Sequence, residues 1–267
     1  MTAHAAGPIL VHGHRGARAV RPENTLPAFE YAISVGVDVL ELDMAVTKDD
    51  VVVVSHDPVI NPVICSGGGE PAPIRSLTLT ELRRWDCGGK VNPGYPKQQP
   101  VPGTHIPTLD EVLSLATRGS FQFNIETKID PKKPDLAPEP RRFVELVLEV
   151  VRKHKLEDRV ILQSFDFRTL KEMHSLEPRI RLSALLTSPF SDWVDVAKET
   201  GAVIISPERR ITWKKKVKSA HKAGLQVVPW TANEPKQWDD LIDKGVDAII
   251  TDDPAALIEH LRKKGRR

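Results

Sequence analysis

The sequence predicts an α/β protein, a (β/α)8 TIM barrel with a small Pro/Gly-rich insertion after its second strand. Short β-rich runs alternate with amphipathic helical runs from end to end, the pattern of a parallel sheet joined by helical crossovers. Eight such pairs fit into the 267 residues, the count of a closed barrel rather than of the doubly wound open sheet that is its alternative. One stretch breaks the alternation, and it falls where a barrel carries its functional loops.

The first strand is Ile9–Gly13, followed by a helix over 24–35. Asn24-Thr25 supplies the start signal, Leu26, Phe29 and Ile33 recur at helical spacing, and Gly36 closes the helix. Val39–Ala45 is the second strand. Only Thr47–Asp50 separates it from the apolar run Val51–Ser55, too few residues for a parallel crossover, so that run folds back as an antiparallel arm. With Lys48-Asp49 as the central turn residues, position 43 faces 54 and 41 faces 56. Residues 57–107 hold nine of the 22 prolines and seven of the 16 glycines, with one helical piece around Leu79–Trp85. This is the insertion, expected as a cap over the barrel mouth within a single domain spanning 1–267. Thr108-Leu109-Asp110-Glu111 is a capping-box pattern that opens the helix 108–116. The remaining strands are Phe121–Glu126, Arg159–Gln163, Arg181–Leu185, Val203–Ser206, Gln226–Trp230 and Ala248–Thr251. They alternate with helices over 139–154, 166–176, 191–200, 212–223, 235–243 and 254–262, with Gly224 and Gly245 at two helix ends.

Composition narrows the function. Lys and Arg number 38 against 36 acidic residues, a formal +2, and aromatics are 5%. That balance argues against nucleic-acid binding, which calls for a basic excess or a base-stacking platform. No apolar run approaches the roughly 18–20 residues of a spanning helix, so no stable membrane insertion is expected. The basic pieces Trp213-Lys214-Lys215-Lys216 and Arg262–Arg267 read as an exposed helix start and a solvated terminus. Two cysteines, Cys65 and Cys87, exclude a disulfide framework and a Cys-rich zinc site; both lie in the insertion, where one bond would suit an exported protein. Ala3-His4-Ala5 has the look of a cleavage site, but no apolar stretch precedes it. The expectation is cytoplasmic, or periplasmic or exported if a signal peptide has been removed.

Alternation along Val39–Ala45 puts Leu40, Leu42 and Met44 on the helix-facing side and Glu41 and Asp43 inside the barrel. On the third parallel strand, Phe123 and Ile125 face outward while Asn124, Glu126 and Lys128 face in. Buried carboxylates need a cation. Three of them without a nearby Cys suit one hard divalent ion, Mg²⁺ or Ca²⁺, with Mn²⁺ as a further candidate. The alternative is an ion-pair network with Lys128 and arginines. His14 and His56 end strands at this cluster, which points to a general base and a general acid. His4, His105, His154, His174, His221 and His260 read as structural. Arg15 and Lys128 add the positive charge that holds a phosphoryl group.

These residues resemble the signature of glycerophosphodiester phosphodiesterases. The resemblance runs through His14-Arg15-Gly16, Glu23-Asn24-Thr25, Ala28-Phe29, Leu40-Glu41-Leu42-Asp43, Thr47-Lys48-Asp49 and His56-Asp57. It continues in Asn124-Ile125-Glu126-Thr127-Lys128, Gln163-Ser164-Phe165, Trp230-Thr231 and Gly245-Val246-Asp247 with Thr251-Asp252, covering nearly the whole chain. It implies Glu41, Asp43 and Glu126 as metal ligands, His14 and His56 as the acid/base pair, and Arg15 and Lys128 on the phosphate. Gln163, Phe165 and Trp230 would line the pocket, and Asn24 would position the first loop or cap the helix after it. The implied reaction is hydrolysis of a small glycerophosphodiester to sn-glycerol 3-phosphate and an alcohol. Asp50 departs from the glycine common in the family's hairpin turn, and the insertion, with Gly67-Gly68-Gly69 and Pro93–Pro102, follows no familiar pattern.

Three other readings compete. His12-x-His14 also resembles the metal motif of amidohydrolases and phosphotriesterases, which need further histidines on strands five and six; Arg181–Leu186 and Val203–Ser206 have none. A phospholipase D-like enzyme acting on lysophospholipids would need an exposed apolar rim near the site. A non-catalytic phosphate- or metal-binding barrel would have no use for an acid/base pair.

Overall fold

In the first strand, β1 (Leu10–Gly13), and the second, β2 (Val39–Val46), nearly every residue is buried, as strands covered on both faces must be. The computed structural model describes residues 7–267, so Ala3-His4-Ala5 lies outside the described residues. A short arm, β3 (Val52–Val54), follows β2, and a small antiparallel pair, β4 (Ser66–Gly67) and β5 (Trp85–Asp86), lies apart from the main sheet. Then come β6 (Gln122–Thr127), β7 (Val160–Ser164), β8 (Arg181–Leu186), β9 (Ile204–Pro207), β10 (Gln226–Val227) and β11 (Ala248–Thr251). Eight of these strands run parallel in the order β10-β9-β8-β7-β6-β2-β1-β11. Backbone bonds from Asp247 N to Val227 O and from Ile250 N to Pro229 O, both 3.0 Å, nearly close the ring into a (β/α)8 barrel. β10 is shorter than the sequence run Gln226–Trp230 because Pro229 has no N–H to offer a ladder.

Helices alternate with the strands: α1 (Leu26–Val35), then α2 (Leu79–Leu82) between β4 and β5, then α3 (Leu109–Leu113), α4 (Pro140–His154) and α5 (Phe167–Leu176). The outer layer is completed by α6 (Trp193–Thr200), α7 (Lys214–Lys222), α8 (Pro235–Lys244) and α9 (Pro254–Lys263). α4 shows why they dock: Phe143, Val144, Val147 and Val151 form one apolar stripe pressed on the strands. The capping box at Thr108 and Glu111 forms as its sequence implies. Thr25, not Asn24, caps α1, and without a side-chain bond, which leaves Asn24 free for the barrel mouth.

The outward residues of the strands and the inner faces of the helices make one large core. Inside the barrel, Ile161, Ile204, Val228, Ala248 and Ile250 form a separate apolar plug, above which the polar inward residues collect. His12 is buried inside the barrel near Arg181 and does not line the cavity at the mouth, which removes the His-x-His metal reading.

The hairpin register differs from the sequence expectation. Met44 pairs with Val54, Ala45 with Val53 and Val46 with Val52, a slip of one residue from the pairing of 43 with 54. Asp50 is the cause. It takes a left-handed conformation (φ 60°), making a three-residue Lys48-Asp49-Asp50 turn in place of a two-residue one. Thr47 O accepts from Asp50 N at 3.1 Å, and Arg75 and Arg142 hold the Asp50 carboxylate. The ladder ends at Val54, so His56 does not sit opposite Glu41; it reaches the mouth from the chain beyond the strand.

Residues 57–107 carry a core of their own, built on Ile60, Ile74, Leu82, Trp85 and Ile106 against Ala45 and Val53 of the hairpin. Cys65 and Cys87 are joined by a disulfide within it. Gln98 donates to the carbonyls of Arg18 and Arg21, fastening this segment to the loop after β1.

Candidate active site

The loop after β1 folds as it does because Gly13 and Gly16 have no side chains. A Cβ on Gly13 would lie 2.2 Å from Gly16 O, and one on Gly16 (φ 83°) would lie 2.7 Å from the Ala28 backbone. Between them Arg15 is left-handed (φ 50°), which turns its N–H to Glu41 Oε2 at 2.9 Å and its Nε to Asp43 Oδ2 at 3.1 Å. Asn24, also left-handed, donates to Asp43 Oδ2 at 2.9 Å. Glu23 anchors the far end of the Arg15 guanidinium at 2.5 Å. The first loop thus clamps the carboxylates of the neighbouring strand.

β2 and β6 are parallel neighbours with Asp43 level with Glu126, and one oxygen from each of Glu41, Asp43 and Glu126 lies within 4.8 Å of the others. All three are buried. Burial, reinforced by Asp43, pushes the Glu41 carboxyl well above its ordinary range. Burial also pushes Glu126 up to about 7, with Lys128 opposing and Asp43 adding to the rise. Asp43 goes the other way: despite burial, Arg15 and Lys128 hold it well below the carboxylate range. Lys128 Nζ lies 2.7 Å from Glu126 and 3.6 Å from Asp43. Two cations therefore face three carboxylates. The oxygen-only donor set, brought within 4.8 Å, suits a hard divalent ion, and this triad can hold a metal.

Each histidine is anchored through Nδ1 and leaves Nε2 free. His14 Nδ1 lies 2.5 Å from Asp252 Oδ1, which requires the proton on Nδ1, and its Nε2 is 3.9 Å from Glu41 Oε2. Burial, opposed by Asp252 and aided by Arg15 and Arg18, lowers the His14 pKa, which favours the neutral ring. His56 Nδ1 is 2.8 Å from Asp57 Oδ1, and Asn61 steadies Asp57 at 2.7 Å. Gln163 donates to Glu41 Oε1 at 2.7 Å and accepts from Asn124 at 2.8 Å, so it orients a carboxylate.

His14, Arg15, Glu41, Asp43, His56, Glu126, Lys128, Gln163, Phe165 and Trp230 line one cavity of about 280 Å³ at the C-terminal end of the barrel. Phe165 and Trp230 meet edge to face at 5.5 Å and form its apolar wall. A second cavity of about 240 Å³ adjoins it, sharing His56, Glu126, Lys128 and Phe165.

Sequence reasoning assigned no role to the residues behind the histidines. Asp252 follows β11 and also holds Arg18 at 2.9 Å, Asn233 at 2.6 Å and Tyr95 at 3.3 Å. His14, Arg18 and Asn233 overcome its burial and hold its carboxyl well below the ordinary range. Tyr95, reaching in from 57–107, is pushed up to about 12 by burial and by Asp252, so it acts as a hydrogen-bond donor. Asp252 is 238 residues from His14, and only the closure of the barrel joins them.

The model of the glycerophosphoryl diester phosphodiesterase family matches residues 14–256. A glycerophosphodiester phosphodiesterase of Caldanaerobacter subterraneus subsp. tengcongensis is 31% identical over 256 residues, 96% of this chain and 99% of its own length. One from Bacillus subtilis is 31% identical, covering 96% of this chain and 87% of that protein. The structure of a Silicibacter pomeroyi DSS-3 protein, 31% identical, superposes with a TM-score of 0.91 over 98% of this chain and 96% of that one. An Oleispira antarctica phosphodiesterase bound to its product sn-glycerol-3-phosphate shares the fold at TM-score 0.83 and 22% identity, over 96% of this chain and 97% of that one.

Proposed function

The chain belongs to the glycerophosphoryl diester phosphodiesterase family, and we infer that its cavity hydrolyses small glycerophosphodiesters to sn-glycerol 3-phosphate and an alcohol, by the following division of labour. The observation that carries this reading is two carboxylate-anchored imidazoles of unlike burial beside three carboxylates and two cations in one cavity. Simple binding has no use for such a pair, which disfavours the non-catalytic barrel.

Glu41, Asp43 and Glu126 are the residues that would hold a divalent cation, with Mg²⁺, Ca²⁺ or Mn²⁺ as candidates. When bound, the ion supplies Lewis-acid polarisation of phosphoryl oxygens. Arg15 and Lys128 neutralise the phosphate from the two sides of the triad. His14, neutral and with Nδ1 committed to Asp252, takes the proton of the nucleophile at Nε2: water, which gives sn-glycerol 3-phosphate directly, or a glycerol hydroxyl of the substrate, which gives a cyclic phosphate that a water then opens to sn-glycerol 3-phosphate. His56 lies at the junction of the two cavities and delivers a proton to the departing alkoxide, whose alcohol leaves through the second cavity. Phe165 and Trp230 exclude water from one side. Residues 57–107 serve as a cap inside the single domain, with Tyr95 touching the Asp252 network. Among the described residues no helix is long and apolar enough to cross a membrane, and the Cys65–Cys87 disulfide supports an oxidising compartment in preference to the cytoplasm.

The test is release of glycerol 3-phosphate from glycerophosphocholine by metal-stripped protein, with and without Mg²⁺, Ca²⁺ or Mn²⁺. Release that depends on the ion and falls at least about a hundredfold in His14→Ala is expected. Release that is indifferent to both would sink the assignment.

A further inference from the structure

Phe190 is 94% exposed and Trp213 is 49% exposed, and folding gives no reason for either to face water. Phe190 lies on the loop after β8 and Trp213 on the loop after β9, so both stand at the C-terminal end of the barrel, the end that holds the cavity. Lys216 joins the two loops. Its Nζ donates to Pro189 O at 2.6 Å and Ser191 O at 3.0 Å, and it lies over the rings of Trp193 and Trp213 at 5.4 and 5.3 Å. The rim is continuous with the cavity, because Arg209 N donates to the carbonyl of Trp230 at 2.8 Å and Trp230 lines the cavity wall.

Residues 209–218 contain six lysines and arginines and no acid. Arg210 pairs with Glu208, while Arg209, Lys214, Lys215 and Lys218 form no ion pair among the described residues. The acids of the neighbouring loop and helix are committed: Asp192 accepts the first N–H groups of α6, and Asp195 faces Lys198. Lys214 and Lys215 open α7 at the mouth, beside Trp213, and Lys218 lies one turn further down the same helix.

We propose that this rim, Phe190 and Trp213 flanked by Arg209, Lys214 and Lys215, docks the barrel mouth on an anionic phospholipid surface and presents membrane-borne glycerophosphodiesters such as lysophospholipids to the cavity. Exposed aromatics beside unpaired lysines match both parts of such a surface: apolar anchors for the headgroup–acyl boundary, and cations for the negative headgroups. Docking itself is independent of the proposed chemistry; only the substrate part rests on it.

The intact protein is sedimented with phosphatidylcholine vesicles and with mixed phosphatidylcholine–phosphatidylglycerol vesicles. Binding to the mixed vesicles alone, weakened by salt, is expected. The Lys214→Gln/Lys215→Gln pair should reduce it about thirtyfold, at roughly fivefold per lysine near the surface. Phe190→Ala should reduce it about tenfold. Both variants should cleave soluble glycerophosphocholine at the wild-type rate, which certifies their folding, and cleave vesicle-borne lysophosphatidylcholine more slowly. Equal binding of variants and wild type, equal binding to neutral vesicles, or a lipid-independent dimer lost in Phe190→Ala would each overturn the proposal. Vesicle binding without any glycerophosphocholine cleavage would leave the docking surface standing and remove the reaction assigned above.

Discussion

Asp252→Asn is the sharpest probe of the site, because it changes one atom at the point where the barrel closes. The carboxylate accepts from His14 Nδ1 at 2.5 Å and thereby fixes the proton on that nitrogen. An amide NH₂ in the same place requires His14 to accept at Nδ1, which moves the ring proton to Nε2, the atom that must take the proton of the nucleophile. A carboxylate-to-amide change of this kind costs a catalytic histidine about a thousandfold or more in kcat, or about 4 kcal/mol. The same carboxylate pairs with Arg18, which is left with the 3.9 Å contact to Glu23 and the Tyr95 ring 4.6 Å away, so the fold should lose about 3 kcal/mol as well. Assays of kcat with glycerophosphocholine, run well below the variant's melting temperature, separate the two losses. Asn233→Ala supplies the control: it removes the 2.6 Å bond to the other oxygen and leaves the carboxylate, so its kcat should fall less than about tenfold. A folded Asp252→Asn enzyme within about threefold of the wild-type kcat would refute the tautomer argument.

Two further outcomes concern stability. His12 is held down to about 3 from 6.5 by burial, with Arg181 adding to the effect, so the unfolded chain takes up the proton first. His12's contribution to stability is then complete above pH 6.5 and declines as pH falls from there toward 3, by about 2 kcal/mol at pH 5, while Glu126, pushed up to about 7, contributes with the opposite sign. Between pH 7 and pH 5 the urea midpoint of the wild type should fall relative to that of His12→Gln; the same change in both would contradict this. The Cys65–Cys87 bond spans a separation of 22 residues, worth about 3 kcal/mol by loop closure. Reduction, or replacement of both by serine, should open 57–107 to limited proteolysis and cost activity through Tyr95 while the barrel stays folded; an unchanged digestion pattern would count against the bond's structural role.

Much of the barrel was legible from alternation. The inward and outward faces of Val39–Val46 and Gln122–Thr127 follow from a period of two, and that period brings Glu41, Asp43 and Glu126 to adjacent positions. The hairpin shows where pattern fails. A left-handed Asp50 adds one residue to the turn and shifts every pairing; the sequence marks position 50 as one where the resembled family has glycine, but not that the aspartate keeps glycine's conformation. His56 still reaches the cavity, because the chain beyond Val54 is placed by Asp57, Asn61 and the core of 57–107 rather than by the ladder.

By itself the sequence determined the number and order of the strand–helix units, the acidic triad, the two histidines at strand ends and the two cations beside them. These depend on side-chain type and on spacing within one element, which are local quantities. The tertiary structure decided which imidazole nitrogen is free, which carboxyls are pushed up and which held down, and which exposed aromatics stand at the cavity's end of the barrel. Those depend on atoms brought together from opposite ends of the chain, such as Asp252 against His14 and Lys216 against Pro189, and no local pattern records a contact that exists only once the barrel has closed.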